Sequence, residues 1–212
     1  VNGDKIGSTD GVVNSAADSK TTDGLNKENG KSTKTGYYLR KLLRSDINLN
    51  PNSTTKQKHL NARIRSTEIL LDYAEAANEA QGPKANVGGA NYSAYDVIKA
   101  IRERAGIGEF GEDPYLEECA QSKEKMRELI RNERRLELCF ENHRFWDLRR
   151  WKANLNEAAK GINITTDEAT GAFVYKTFDA EERKYDDYMF YGPIPYSEIL
   201  KYSNLKQNEG WK

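Results

Sequence analysis

The 212-residue chain reads as mainly α-helical, and three observations carry that expectation. Apolar residues recur at helical spacing in stretches near 67–81, 93–105 and 123–140. Breaks rich in Gly, Asn and Pro separate those stretches. Only Phe173, Tyr175 and Thr177 alternate as a strand would, so little β structure is expected.

Residues 1–36 are dominated by Gly, Asn, Asp, Ser, Thr and Lys, with scattered apolar residues such as Ile6, Val12, Val13 and Leu25. Such a composition buries too little surface to offset ordering entropy, which predicts a long surface loop or tail; a ligand-contacting loop is the competing reading. Tyr37, Tyr38, Leu39, Leu42 and Leu43 follow as the first apolar cluster, interleaved with Arg40, Lys41 and Arg44. Basic stems snorkelling over a packed segment explain that mixture better than nucleic-acid binding. Asn48–Thr55, around Pro51, reads as a turn-rich break.

From Thr67 to Gln81, Ile69, Leu70, Tyr73, Ala74 and Ala77 give a helix with a narrow face, stopped by Gly82-Pro83. A loop with Gly88-Gly89 leads to a second helix from Ser93, presenting Tyr95, Val97, Ile98, Ile101 and Ala105 and capped by Gly106. The two together look like a tetratricopeptide-type helical hairpin. Gly108–Pro114 reads as a loop leading into the central helix. There Met126, Leu129, Ile130, Leu136 and Phe140 recur at intervals of one, three, four or six, with Cys139 on the same stripe, which predicts a core-facing side. Ser122 is the expected N-cap, with Lys125 where a capping-box Glu would stand. Glu124 with Arg127, Glu128 with Arg131, Arg134 with Glu137 and Glu141 with Arg144 have the spacing of within-helix ion pairs. The stripe loses phase at Asn142 and His143, and Asn tolerates the left-handed conformation that closes a helix. A second short helix, Phe145–Trp151, is expected to turn back onto the first. Further on, the sequence predicts a helical continuation to about Lys160, a loop over Gly161–Gly171, extended backbone around Ile194 between Pro193 and Pro195, and a last helix over Ser197–Tyr202.

Lys plus Arg equals Asp plus Glu at 33 each, so the net charge is zero and no polyanion partner is indicated. A mean hydropathy of −0.88 and the lack of a long apolar run exclude a spanning helix, and the start VNGDKIGS shows neither the basic nor the apolar region of a secretory signal. The length suits one well-buried domain.

Each candidate constellation has a plainer explanation. Cys139 and His143 lie four apart and could be joined by Cys119 and His59 as metal ligands, but a buried thiol and a hydrogen-bonded His are the simpler expectation, so no metal is assigned. A Cys119–Cys139 disulfide is left open. Paired acids such as Asp186-Asp187 and Glu117-Glu118 point apart on regular structure and do not make a glycosidase dyad. Catalytic residues and cofactors are therefore not assigned. Arg134, Arg135, Asp147, Arg149 and Arg150, with Glu133, Glu137 and Glu141 nearby, read as a partly buried ion network locking two helices. Phe140, Phe145, Trp146 and Trp151 read as core.

Four motifs in order resemble the C-terminal half of the SusD/RagB family. They are TGYYLRK at Thr35–Lys41, RSTEILLDYAEAANEA with AYDVIKAIRERAGI within Arg65–Ile107, ERRLELCFENHRFWDLRRW at Glu133–Trp151, and YGPIPYSEILKYSNLKQNEGW at Tyr191–Trp211. The chain departs from the family pattern at Asn142, where Gly is usual, at Tyr202-Ser203, where Asn-Pro is common, and at Glu209, where Pro is usual. In the resemblance Glu133, Arg134, Arg135, Glu137, Arg144, Asp147, Leu148, Arg149, Arg150 and Trp151 form the central motif, and Pro193, Pro195, Glu198, Gln207 and Asn208 the closing one.

The resemblance implies a SusD-like helical fold with a tetratricopeptide-type hairpin, long loops and little β structure. It divides the chain into a polar region over 1–36 and a family C-terminal domain over 37–212. The family's helical-repeat N-terminal half and lipidated Cys are expected outside this sequence, with the protein on the cell-surface side of an outer membrane. The implied role is non-catalytic: capture of an oligosaccharide, in some members a peptide, and delivery to a SusC-like TonB-dependent transporter. Sugar capture needs aromatic faces beside amides and hydroxyls. By composition Tyr37, Tyr38, Tyr92, Tyr185, Tyr188 and Tyr191 are the candidates. The alternatives are a helical scaffold that binds a partner helix, with no glycan or transporter, and a glycan-cleaving enzyme.

Overall fold

The structure, a computed structural model, describes residues 14–20, 22–29, 32–44, 46–48, 52, 55–58, 62–108 and 111–211. His59, Pro51, Ile6, Val12 and Val13 lie outside them. Among the described residues the fold is mostly helical: α1 Ser66–Gln81, α2 Ala94–Arg104, α3 Pro114–Cys119, α4 Lys123–Glu137, α5 His143–Arg150 and α6 Tyr196–Ile199, with a 3₁₀ turn at Asp187–Phe190 and two strands, β1 Ala159–Thr166 and β2 Phe173–Glu181. The chain divides into two compact units, Lys58–Asp147, and Val1–Gln57 with Leu148–Lys212.

The helical unit is built on α1, which packs against both α2 and α4. Ala74, Ala77 and Ala94 are fully buried where small side chains allow close approach, and Leu71, Ile98, Leu116, Met126, Leu129 and Ile130 fill the space between the helices. Burying each of the larger apolar side chains stabilises the unit by about 1.5–3 kcal/mol. Asn78, fully buried in α1, donates from Nδ2 to the Lys123 carbonyl at 2.9 Å and so ties α1 to the first residue of α4. Local signals set the helix starts. Ser93 and Asp96 form a reciprocal capping box on α2, and the Ser122 hydroxyl accepts from the Lys125 amide at 3.1 Å on α4.

In the second unit, β1 and β2 pair antiparallel, with Ile162 opposite Thr177 and Ile164 opposite Tyr175. The described part of the polar N-terminal region lies along the other edge of β1: the Ile162 amide donates to the Thr35 carbonyl, Ala17 to Ile164, and Thr166 to the Asp18 carboxylate. Gly36 sits at φ +79°, and a Cβ there would fall 2.0 Å from the Ile162 carbonyl oxygen, so only Gly permits this approach. Ala16, Ser19 and Thr33 are consequently buried, and backbone pairing gives order that composition alone does not predict.

Several expectations are overturned. The helix expected after Trp151 is instead a turn, with Lys152 at φ +48°, leading into β1, and the loop expected over Gly161–Gly171 begins as β1. Pairing with β2 on one edge and with the Thr35 segment, distant in sequence, on the other decides this segment. The lead into α4 contains α3, whose signal was Asp113 as N-cap followed by Pro114 in the first turn. Leu136 and Phe140, expected in the core, are 58% and 65% exposed. The six-residue step from Ile130 rotates Leu136 by about 240°, off the buried face. Phe140 lies beyond the end of α4 with φ +62°, ahead of Asn142 at φ +67°. Phe145 and Trp146, also expected in the core, are exposed and stack edge-to-face, because the buried face of α5 carries Asp147 and Leu148. Trp151 is half-buried, with the Arg150 guanidinium 4.7 Å from its ring centroid. Tyr37, Leu39, Leu42 and Leu43 are exposed, not packed.

Several of these charged groups reach other segments of the chain. Glu128 and Arg131 do pair within α4 at 3.3 Å, but Arg127 forks onto Glu79 of α1, Glu137 meets Arg104 of α2, and Glu141 holds Arg65 ahead of α1. Inside the unit, Arg102 bridges Asp113 and Glu133 at 2.6 and 2.7 Å, and Arg134 forks onto Asp147 at 3.0 and 3.2 Å while also reaching Asp72. Arginine's planar fork gives a fixed geometry to each contact, which ties α2 to α4 and α4 to α5.

Candidate functional site

The second unit contains a cleft of about 890 Å³, within the size range of ligand sites. Its walls are the turn Arg149–Asn156 and the segment Tyr185–Tyr191. Neither wall belongs to a long regular element, and side-chain clasps hold both.

Asn156 holds one end of the second wall. Its amide nitrogen donates to the Tyr185 carbonyl at 2.9 Å and its amide oxygen accepts from the Tyr185 amide at 2.6 Å, imitating a strand pair. The first wall is fixed by the Asn154 side-chain oxygen, which accepts from the Asn156 amide, and by the Ala153 amide, which donates to the Leu148 carbonyl. The Arg149 guanidinium lies 5.5 Å from the Tyr185 ring centroid, a cation–π distance that holds the ring.

The C-terminal motif clasps the other end. Trp211 donates from its indole to the Tyr191 carbonyl at 2.9 Å and packs edge-to-face on Tyr188 at 5.0 Å. Asn208 donates to the Gly192 carbonyl, and Gln207 both accepts from the Ile194 amide and donates to its carbonyl. These bonds satisfy the backbone between Pro193 and Pro195, where proline supplies no donor. Gln207 and Asn208 thus act on the cleft by fixing its wall. Glu198 pairs with Lys201 on the surface.

The six tyrosines separate. Tyr185, half-buried, and Tyr191, 67% exposed, line the cleft together; Tyr188 beside them is used by the clasp. Tyr37 is exposed in the N-terminal strap, and the Tyr38 hydroxyl accepts from the Thr33 amide and donates to the Asp23 carbonyl. Tyr92 belongs to the helical unit, edge-to-face with Tyr73 at 4.9 Å, on a shallower groove of about 410 Å³ between α1 and α2. Sequence reasoning missed Asn154, Asn156, Asp186 and Asp187 as lining residues. The Asn-x-Asn pattern just after Trp151 was the available signal, since Asn side chains imitate backbone in turns.

Among the described residues no three His, Cys, Asp or Glu side chains gather as a metal set, and both cysteines are free, Cys119 buried and Cys139 half-buried. Burial pushes the Cys119 thiol pKa up, which keeps it protonated and unreactive. His143 lies 3.5 Å from Glu68. No helix among the described residues is long and apolar enough to cross a membrane.

The cleft and its clasps fall inside the region matched by a family model. The SusD-like protein P2 of Formosa agariphila is 30% identical over 145 residues, which cover 68% of this chain and 24% of that protein. A SusD-like protein from Bacteroides fragilis, solved by crystallography at 2.70 Å, superposes with a TM-score of 0.63 at 31% identity, covering 87% of this chain and 32% of that one. The chain thus spans about a quarter to a third of these relatives. The model of the SusD family matches residues 7–211, and the chain belongs to that family.

Proposed function

We propose that this chain is part of the non-catalytic, nutrient-binding component of an outer-membrane uptake system, which captures a glycan at the cell surface and hands it to a SusC-like TonB-dependent transporter. Family membership supports the uptake role. The observation that carries the glycan reading is the cleft itself. It combines two tyrosines, Tyr185 and Tyr191, with the amides of Asn154 and Asn156 and the carboxylates of Asp186 and Asp187. Aromatic faces pack on the apolar faces of a sugar ring, and amides and carboxylates meet its hydroxyls. A lipid anchor outside this sequence would hold the protein at the surface, and further chain of the same protein would complete the family fold; residues 37–212 would then be its C-terminal domain. The other nominated tyrosines, Tyr37, Tyr38, Tyr92 and Tyr188, would be supporting or separate contacts.

The test is mild-detergent extraction of the whole protein from its own membranes, with mass spectrometry of what co-purifies. A co-purifying β-barrel transporter supports the delivery role; recovery without one refutes it. Oligosaccharide binding that weakens in Tyr185→Ala supports the cleft as the capture site, and sugar release from the ligand would refute the non-catalytic reading.

A further inference from the structure

Resting on the glycan reading of the cleft, we infer that Asn208 and Trp211, which do not line it, are positioning residues for ligand capture: their clasp holds the wall that carries Tyr191 in its binding-competent place before any ligand arrives.

The wall has little of its own to hold it. Its one regular element is the four-residue 3₁₀ turn Asp187–Phe190, a conformation with poor hydrogen-bond geometry that occurs only in short pieces. The Tyr191 ring is 67% exposed and makes no hydrogen bond or ring contact among the described residues, so its place is set through its backbone. That backbone is held from the C-terminal segment. The Trp211 indole nitrogen donates to the Tyr191 carbonyl while its ring packs on Tyr188, and Asn208 donates to the Gly192 carbonyl at 2.7 Å. Gly210 lets this segment close on the wall, because φ is +85° and a Cβ there would fall 2.3 Å from the Tyr188 ring. At the other end Asn156 fixes Tyr185, so loss of the C-terminal clasp frees one end of the wall and leaves the other anchored.

A wall held at one end visits places in which Tyr191 no longer stands beside Tyr185. Ligand then binds only the fraction of molecules whose wall is in place, and the apparent Kd rises as that fraction falls. One hydrogen bond shifts the balance between a held and a loose wall by roughly two- to tenfold. Because Asn208 and Trp211 tether neighbouring residues, either one alone keeps most molecules competent, and loss of both has the larger effect. The kinetics separate positioning from contact. A smaller competent fraction slows association and leaves dissociation unchanged, whereas removing a group that touches the ligand speeds dissociation.

The experiment uses the whole protein and a panel of glucan, mannan, xylan, galacturonan and sulfated galactan oligosaccharides matched in length. Affinities come from titration calorimetry and rates from stopped-flow fluorescence with reducing-end-labelled copies, well below the melting temperature of every variant. Trp211→Phe keeps a ring for Tyr188 but loses the indole donor; Asn208→Ala loses the other tether; Lys206→Ala, exposed in the same segment, is the control. The expected result is binding of at least one panel member, weakened by up to about threefold in each single variant and at least about fivefold in the double, with the loss in the association rate. Tyr185→Ala weakens the same binding through faster dissociation, and Lys206→Ala leaves it unchanged. If the double variant binds within about twofold of wild type, loses affinity through dissociation, or is matched by Lys206→Ala, while Tyr185→Ala still weakens binding, the inference falls alone. If the double variant does not fold, the rates of the two single variants decide by the same criterion. If no panel member binds, or binding is indifferent to Tyr185→Ala, the glycan reading of the cleft falls and the inference with it.

Discussion

Arg134 and Asp147 are 4% and 5% exposed at their side chains and joined by two hydrogen bonds, so this pair should dominate the attachment of α5 to α4. Arg134→Met removes the cation that faces both Asp147 and Glu75, the latter 17% exposed and 3.9 Å from Arg134. Removing one partner of a buried ion pair costs about 3–5 kcal/mol. Asp147→Leu is milder, because Arg134 keeps Asp72 and Glu75; about 2–3 kcal/mol is expected. The double variant strands neither partner of the pair, and hydrophobic replacement of a buried pair is often close to neutral, so it should recover about 2–3 kcal/mol of the summed loss. The assay is urea unfolding followed by tryptophan fluorescence and circular dichroism, with melting as a check; at this chain length each kcal/mol shifts Tm by about 2–4 °C. Equal losses from the two single changes would refute the claim that Asp72 and Glu75 compensate. Additive losses in the double would refute a specific buried pair altogether.

Gly210→Ala should loosen the C-terminal clasp, since φ is +85° and a Cβ would lie 2.3 Å from Tyr188 Cγ; a loss of about 1–3 kcal/mol and a reduced near-ultraviolet signal are expected. Gly82→Ala is the control, with φ +88° but open space, and should show only the strain of the left-handed conformation, about 1–2 kcal/mol, with the aromatic signal intact. Acid should weaken the helical unit at Asp113. The Arg102 guanidinium holds its carboxyl below the usual carboxylate range of 3.8, so the bond contributes fully above that pH and is lost as pH falls through the lowered folded value. Asp113→Asn keeps a capping side chain but no charge, so its deficit against wild type should be constant well above pH 3.8 and shrink as the pH falls below it; a pH-independent deficit would contradict the assignment.

The sequence by itself determined the helical class, the starts of α2 and α4, and the family. Those depend on information within a few residues: Ser93 and Ser122 cap their helices, and Val97, Ile98, Ile101, Met126, Leu129 and Ile130 repeat at helical spacing and are buried. Where such a local signal was passed over, as at Asp113-Pro114, a helix was missed though its capping chemistry was legible. The tertiary structure alone decided the rest. Residues 159–166 became a strand because β2, just beyond a turn, and the Thr35 segment, distant in sequence, both pair with them. Arg127, Glu137 and Glu141 reach partners on other segments of the chain, because a long flexible side chain meets whichever opposite charge the packing presents. The cleft depended on packing in the same way. Composition nominated six tyrosines equally, and clasps such as those of Asn156, Asn208 and Trp211 set Tyr185 and Tyr191 beside Asp186 and Asp187 in one cavity. Spacing along a chain specifies which face a residue occupies, whereas which faces meet is a property of the folded whole.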